Sequence, residues 1–486
     1  MGAAGFVARA GALALALGIA SAMSAPPALN SAPEQLPASA GWTGVISAIL
    51  VALGRRPSVS DGSGSLPSLT LTGRMRSIFQ RQERASSTAV APVRARDGDG
   101  QTAAVQTVPG VGPVRDIALS SDGRYAYVAS HQDTSGADAC SVDVVETTTN
   151  TVVKKIVLSD VGPTSLAASP DSSRLYVADH NAAAIRVVDI AEGSPTRNRV
   201  VDSLPLEGPL PVGYGTPSSI VLSPNGSRLY AQMTDPAVLI VDPDTRVLVG
   251  TVAGGDSIAM FAAGERIYVC ADDRLGHSNV AAGVVILDAD TGSELGSFGL
   301  NDAPAFISQP ILAGDSGQLY LDIDDLDGRL EVVDTSTLNV VARIKIDASA
   351  DRQLRSIPAA AVLSPDGGCL YVANQGVRSS SEEATEVGWI SVVDTNLNEV
   401  IDDIALPEAD ECQGANPQFI VISPAGDRLV VVNEYGIVSI IDVASRAIVG
   451  TVTLGRPTDQ PRVVTVNPAR NAVYVGGDAG LTVIPL

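Results

Sequence analysis

Aromatic residues make up only 4% of this 486-residue chain, and tryptophan occurs twice, as Trp42 and Trp389. A core for so long a chain must then be built from Val, Ile, Leu and Ala, which suits short strands buried on both faces. Cysteine is scarce too, with four residues and no C-x-x-C pair, which excludes a thiolate metal site and covalent haem attachment. The three histidines, His131, His180 and His277, have no partner at metal-ligand spacing, and no Gly-x-Ser-x-Gly elbow is present. Lysine is almost missing: three of the 32 basic residues are Lys and the rest Arg, a bias that points to GC-rich coding rather than to function.

Positive charge is also scarce where it would matter for nucleic acid. Residues 1–100 carry nine Arg and five acids, whereas residues 101–486 are 26 charges negative. A body so acidic repels phosphate backbones, so no nucleic-acid partner is expected, and the acidity reads as solubility outside the cell. The start of the chain reads as an export signal over residues 1–22. Arg9 is its only charge, Gly11–Met23 is apolar, and Ala20-Ser21-Ala22 offers the small-x-small cleavage pattern. Residues 23–100 follow as a Pro/Ser/Ala/Gly-rich, largely disordered leader with short helices. Its apolar run Gly41–Gly54 has 14 residues, short of the about 20 a membrane span needs, so no stable span is expected. A secreted or cell-surface monomer is the reading of these features.

What the chain has in abundance is repetition. An apolar run, a Ser-Pro-Asp-Gly-like turn and a Leu-Tyr-Val-Ala-Asn-like segment recur from residue 115 to the end. The tyrosine or its equivalent falls at Tyr127, Tyr176, Tyr230, Tyr268, Tyr320, Tyr371, Val430 and Tyr474, a spacing of 38 to 59 residues. That spacing is the range for four-stranded propeller blades. Pro at the first turn position, as in Ser364-Pro365-Asp366-Gly367, fixes φ, and Asp, Asn and Gly tolerate the reversal. A third strand ends in an acid (Glu146, Asp189, Asp242, Asp288, Asp334, Asp394, Asp442), and a fourth, alternating strand follows. This acidic series could be a ring of metal-binding or catalytic carboxylates. An Asx-turn at the same position needs no ligand, and the turn reading is preferred. The expected fold is an all-β, eight-bladed β-propeller of four-stranded antiparallel blades over residues 101–486, with seven blades as the alternative count. The last copy has three strands only, so Ala103–Val108 is expected to supply its fourth and close the ring.

Tyr371-Val372-Ala373-Asn374 and the Ser364–Gly367 turn before it resemble the YVTN-type β-propeller repeat family of secreted bacterial proteins. The resemblance covers residues 103–486 and implies fold rather than chemistry, since the signature residues are turn and core residues. Phe261–Gly264 and Ala313–Ser316 depart most from the turn pattern. The family borders on propeller lactonases. The resemblance therefore implies two functions: a binding or interaction module without catalysis, or a lactonase-like hydrolase acting on a small anionic substrate.

Candidate site residues come from the position five before each first turn, which should line one mouth of the channel: Arg115, Thr164, Ser218, Asp256, Ser308, Ala359, Gln418 and Arg462. Arg115 and Arg462 belong to adjacent blades across the closure and could hold a carboxylate or phosphate, with Asp256 opposite to orient the same ligand. The competing reading pairs each Arg with a local acid such as Asp116 or Asp459. The longest loops, among them 131–140, 272–283, 375–388 and 407–417, fall on the same face, where propellers place their sites. Asp322–Gly328 is rich in carboxylates but has Ile323 at a ligand position, and Asp327-Gly328 is a hairpin turn in its own right, so no metal or cofactor is expected. The four cysteines lie in separate blades, and even Cys140 with Cys412, the nearest pair, is not expected to reach disulfide distance.

Overall fold

The computed structural model describes residues 105–486, apart from 132–139, 159–161, 181, 206–214, 235–236, 254–256, 273–282, 300–305, 308–310, 314–316, 325–327, 347–354, 380–383, 408–414 and 457–458. The chain divides into two units, Met1–Pro92 and Val93–Leu486. The export-signal and leader readings fall outside the described residues, as do Cys412, His277, Asp325 and Asp327. Among the described residues there are strands and turns and no helix, hence none long and apolar enough to cross a membrane.

Eight antiparallel sheets form, each from strands consecutive in sequence except at the closure. In blade 1 the order is Val114–Leu119, Tyr125–His131, Cys140–Glu146, Thr151–Val157. Blade 5 departs in one respect: its first strand is split into Phe306–Ile307 and Ile311–Ala313, both paired with Gln318–Asp324. The first strands of successive blades pack on one another round the axis and form the channel wall. The eighth blade has Pro461–Asn467, Ala472–Gly477 and Gly480–Pro485, and its fourth strand is Gln106–Thr107, with Gln106 opposite Val483 and Thr107 opposite Thr482. Val108 N–H extends that ladder to Leu481 O at 2.9 Å, and its buried side chain joins Leu481, Val483 and Val114 in one apolar cluster. The eight-blade count and the closure by the N-terminal strand are therefore both as the repeats predict.

The repeat signature has a packing explanation. Tyr127, Tyr230, Tyr268, Tyr320 and Tyr474 are among the largest fully buried side chains. A buried phenol needs an acceptor, and it finds one in the next blade. Tyr230 donates to Asp288 O and Ala289 O, Tyr320 to Asn398 Oδ1, and Tyr474, across the closure, to Asn150 Oδ1. Burial pushes the hydroxyls of Tyr230 and Tyr320 up to about 12, so they serve as donors and not as bases near neutrality. The Ser-Pro-Asp-Gly turn is likewise self-satisfied. In Ser364–Gly367 the serine hydroxyl donates to Asp366 Oδ1 at 2.6 Å and accepts Cys369 N–H at 2.9 Å, while Gly367 sits at φ 73°, where a side chain would be strained.

The acids ending the third strands close turns. Asp242 Oδ1 accepts Asp244 and Thr245 N–H, Asp334 Oδ1 accepts Ser336 and Thr337 N–H, and Asp394 Oδ1 accepts Asn396 and Leu397 N–H. These bonds favour the charged form. The carboxyls of Asp242, Asp288, Asp334 and Asp442 are lowered chiefly by Thr245 N–H, the Thr291 hydroxyl, the Ser336 hydroxyl and Ser445 N–H respectively, Asp334 to about 2. A carboxyl with a lowered folded pKa stabilises the fold above its unfolded value, and that contribution is lost as pH falls through the folded value. The thermal midpoint is therefore expected to fall as pH drops from about 4 toward 2. Asp334→Asn, which keeps an acceptor but cannot titrate, should make that fall shallower; an equal slope in the variant would remove the turn acids as its cause.

One interface carries more than apolar packing. Asp143, on the third strand of blade 1, has no exposed surface. It accepts the hydroxyls of Ser130 (3.0 Å) and Ser141 (2.9 Å) and pairs with Lys155 Nζ at 3.3 Å. Lys155 also donates to Gly110 O at 2.7 Å, in the segment joining the closing strand to blade 1. Asp143 alternates with Val142 and Val144, which pack toward blade 2, so it faces blade 8, on the side of Val128 and Val145.

Candidate functional site at the channel mouth

Every first strand starts at the same rim and runs to a hairpin turn at the other. Just inside that starting rim, the pairing of first with second strand slips by one residue in blades 1, 2, 3, 6, 7 and 8. The residue that the register skips is in turn Arg115, Thr164, Ser218, Ala359, Gln418 and Arg462. These are the residues picked out in sequence by counting back from the turn. A bulge releases its extra residue from the pleat and re-aims the side chain. In five of the six blades a proline stands immediately before it: Pro163, Pro217, Pro358, Pro417 and Pro461. Pro163, Pro217, Pro417 and Pro461 head their strands, where no ladder donor is required, while Pro358 lies inside Arg355–Leu363; proline was the sequence signal that could have located these bulges.

The other two blades differ. Blade 4 pairs without a slip from Ser257 opposite Asp272 to Ala263 opposite Arg266, so it has no bulged residue. Asp256 precedes that strand and lies outside the described residues, as does Ser308 of blade 5.

Arg115 is exposed and has no ion pair among the described residues. Its neighbour Asp116 is committed elsewhere: Oδ2 accepts Leu166 N–H from the first strand of blade 2 at 2.7 Å, and Oδ1 accepts Ile117 N–H at 2.8 Å. Burial raises the Asp116 carboxyl, and the N–H groups of Leu166 and Ile117 offset part of that rise. Other polar groups near the rim likewise tie blade to blade. Thr164 Oγ1 donates to Pro217 O at 3.2 Å, and Gln375 Nε2 donates to Pro417 O at 2.9 Å.

Arg462 is held differently. Its Nε donates to Asp478 Oδ1 at 2.8 Å and its Nη2 to Asp478 Oδ2 at 3.3 Å. Asp478 sits in the turn between the second and third strands of blade 8. Gly477 there abuts Gln460 O so closely that a Cβ would lie 2.4 Å from it, and Gly480 stands at φ 96°. The acid that takes Arg462 is thus Asp478, not the sequence-local Asp459, whose carboxylate accepts Arg456 N–H. The two guanidiniums occupy equivalent places on adjacent blades, one in a fork with a carboxylate and one without.

The second-to-third strand hairpin of blade 6 rises over this rim. Its strands, Cys369–Ser379 and Ala384–Asp394, are each 11 residues long, so much of the 375–388 region that reads as a loop is ladder. Asn374, at its base, is fully buried and donates to Val372 O and to Ser391 Oγ, which also accepts Trp389 Nε1–H. Among the described residues, no three His, Cys, Asp or Glu side chains are grouped to hold a metal ion.

Comparison with known proteins agrees with the fold. The family model "Lactonase, 7-bladed beta-propeller" matches residues 79–268, which include blades 1–3 and the first strand of blade 4. The curated "Seven-bladed beta-propeller protein Rv1057" of Mycobacterium tuberculosis is 34% identical over 119 residues, 24% of this chain. The match spans 26% of that relative's length. Among solved structures, Kuenenia stuttgartiensis hydrazine synthase superposes with a TM-score of 0.48 at 17% identity, covering 78% of this chain and 97% of that one; no activity is transferred on such a likeness. The chain is a β-propeller, similar through its first three blades to the lactonase-type family model and built, unlike it, with eight blades.

Proposed function

We propose that the propeller is an exported binding module whose ligand is a small anion held at the channel mouth. The observation that carries this reading is the bulged rim. The register slips by one residue near the same rim in six blades, and Arg115, the residue skipped in blade 1, is an exposed cation with no ion pair among the described residues. In a body 26 charges negative, an uncommitted guanidinium at a focal point favours a carboxylate or phosphate that can take its fork. Arg462 contributes less, because an incoming anion must share it with Asp478. Asp256, the third residue expected at this mouth, lies outside the described residues.

Thermal-shift titration with small carboxylates and inorganic phosphate tests the proposal. Arg115→Ala is expected to weaken binding by about tenfold or more, from a charge-assisted contact of about 1.5–3 kcal/mol, and Arg462→Ala by less. Binding that survives Arg115→Ala intact would move the site off the rim.

The lactonase-like reading is favoured by the family-model match over residues 79–268. It requires turnover, so hydrolysis of a lactone panel, with and without chelator, separates it from binding alone. A hydrolase would acidify unbuffered lactone solutions in proportion to enzyme and lose that activity in Arg115→Ala; a binding module would do neither.

A further inference from the structure

In blade 1 the rim carries both signs of charge on consecutive residues. Arg115, skipped by the register, is followed by Asp116, whereas the skipped residues of the other five slipped blades are followed by Ser165, Ser219, Ala360, Phe419 and Val463. The two charged side chains do not pair with each other. The Asp116 carboxylate is turned toward blade 2 and fixed there, Oδ2 accepting Leu166 N–H at 2.7 Å and Oδ1 accepting Ile117 N–H at 2.8 Å. Arg115 is exposed and Asp116 half-buried, and neither has an ion pair among the described residues.

The fold does not need a charge at this place. One blade on, Ser165 makes the same bond between first strands with a neutral hydroxyl, its Oγ accepting Ile220 N–H at 3.3 Å. Ile220 stands in blade 3 where Leu166 stands in blade 2, two residues past the skipped one. Burial raises the Asp116 carboxyl, and Leu166 N–H, Ile117 N–H and the Ser165 hydroxyl offset only part of the rise. All three donors are neutral, so the carboxylate is desolvated without a countercharge. A cation with N–H donors would supply one, and each carboxylate oxygen has a lone pair left to accept it.

We infer that the ligand is a small zwitterion, an amino acid whose carboxylate is held by Arg115 and whose ammonium is held by Asp116. This rests on the reading of the mouth as an anion site and adds to it the ligand class. A simple carboxylate would satisfy Arg115 and bring a second negative charge beside an Asp116 left uncompensated. A simple amine would do the reverse. A molecule with both groups answers both side chains, and it has no internal ion pair to break before it binds. Arg462 shows the contrast: Asp478 already answers it within the protein, so blade 8 offers no such pair of open charges.

Isothermal titration of the full chain with matched pairs, at neutral pH and one ionic strength, tests this: glycine against acetate, β-alanine against propionate, γ-aminobutyrate against butyrate. At least one amino acid is expected to bind about tenfold or more tightly than its matched carboxylate, its ammonium adding a charge-assisted contact. The N-trimethyl derivative of that amino acid keeps the charge but has no N–H donor, and should lose most of the advantage. In Asp116→Asn, which keeps an acceptor and removes the charge, amino acid and carboxylate should bind alike. In Arg115→Ala both should weaken by about tenfold or more. Carboxylates that bind as tightly as their amino acids would overturn the zwitterion inference and leave the anion site standing. An advantage that survives Asp116→Asn, or a trimethyl derivative that binds as well as its parent, would place the ammonium elsewhere and overturn it as well. The trimethyl comparison uses the unaltered protein, so it decides the matter even if Asp116→Asn fails to fold. A protein that binds none of these compounds loses both readings.

Discussion

Removal of Gln101–Pro109 lowers the thermal midpoint of the whole propeller instead of fraying one blade. Gln106 and Thr107 form the outer strand of blade 8, and Val108 packs with Val114, Tyr474 and Leu481 between blades 8 and 1. Their loss strips the ladder from Gly480–Pro485, exposes an unpaired edge, and opens a cavity at the closing interface. Truncation of one buried apolar side chain of Val108's kind costs about 1–3 kcal/mol, and lost ladder bonds add about 1 kcal/mol each. The sum is a sizeable share of the 5–15 kcal/mol of a typical domain. Each blade is buttressed on two sides, so the expected result is one cooperative transition, shifted down and not broadened. An unchanged midpoint would show that the ring is held without this strand.

Lys155→Met is expected to give the second large loss. The substitution leaves the Asp143 carboxylate, which has no exposed surface, with two serine hydroxyls and no countercharge. Breaking a buried pair from one side costs about 3–5 kcal/mol; the exposure of the ammonium and the retained hydroxyls put this case at the lower end. The double variant Asp143→Leu, Lys155→Met should recover much of the loss, because no charge is then stranded. Denaturant unfolding of the three variants forms the cycle that checks this. If Lys155→Met matches the wild type, the pair is not buried in solution and does not hold the closure.

The architecture was legible in the sequence because each blade repeats the same local solution. Tyr at the second strand, Ser-Pro-Asp-Gly before it and Asp after the third strand are each fixed by a bond internal to the repeat or to the next one. The missing eighth fourth-strand was legible for the same reason, as an absence in a regular series. The mouth was legible in part. Counting back from the turn located the six residues that bulge, because the distance from turn to bulge is constant where the hairpin is constant. In blade 4 the first strand continues to Ala263 and pairs without a slip, so the count there lands on Asp256, ahead of the strand. The partner of Arg462 was not legible from neighbours in sequence. Asp478 comes 16 residues later and is brought back by the tight turn between Gly477 and Gly480. The ladder inside 375–388 was hidden as well, since Gly376, Gly388 and the polar residues between them read as a loop, while cross-strand pairing decides the outcome.

The slipped residues have a consequence for how such a rim can diverge. In a regular strand a side chain is answerable to a partner across the ladder and to the blade on its own side, so changing it disturbs two interfaces at once. A bulged residue is skipped by the register of the ladder, although the hydroxyls of Thr164 and Ser218 still bond carbonyl oxygens of the second strand. Arg115 and Arg462, the exposed members of this set, are therefore open to substitution with the ladder beneath them left intact. A propeller built this way can pass from a cationic mouth to an anionic or neutral one by single point changes, each nearly independent of the others. Its specificity can drift quickly while its fold stays where it is, and two chains with matching cores can take unrelated ligands.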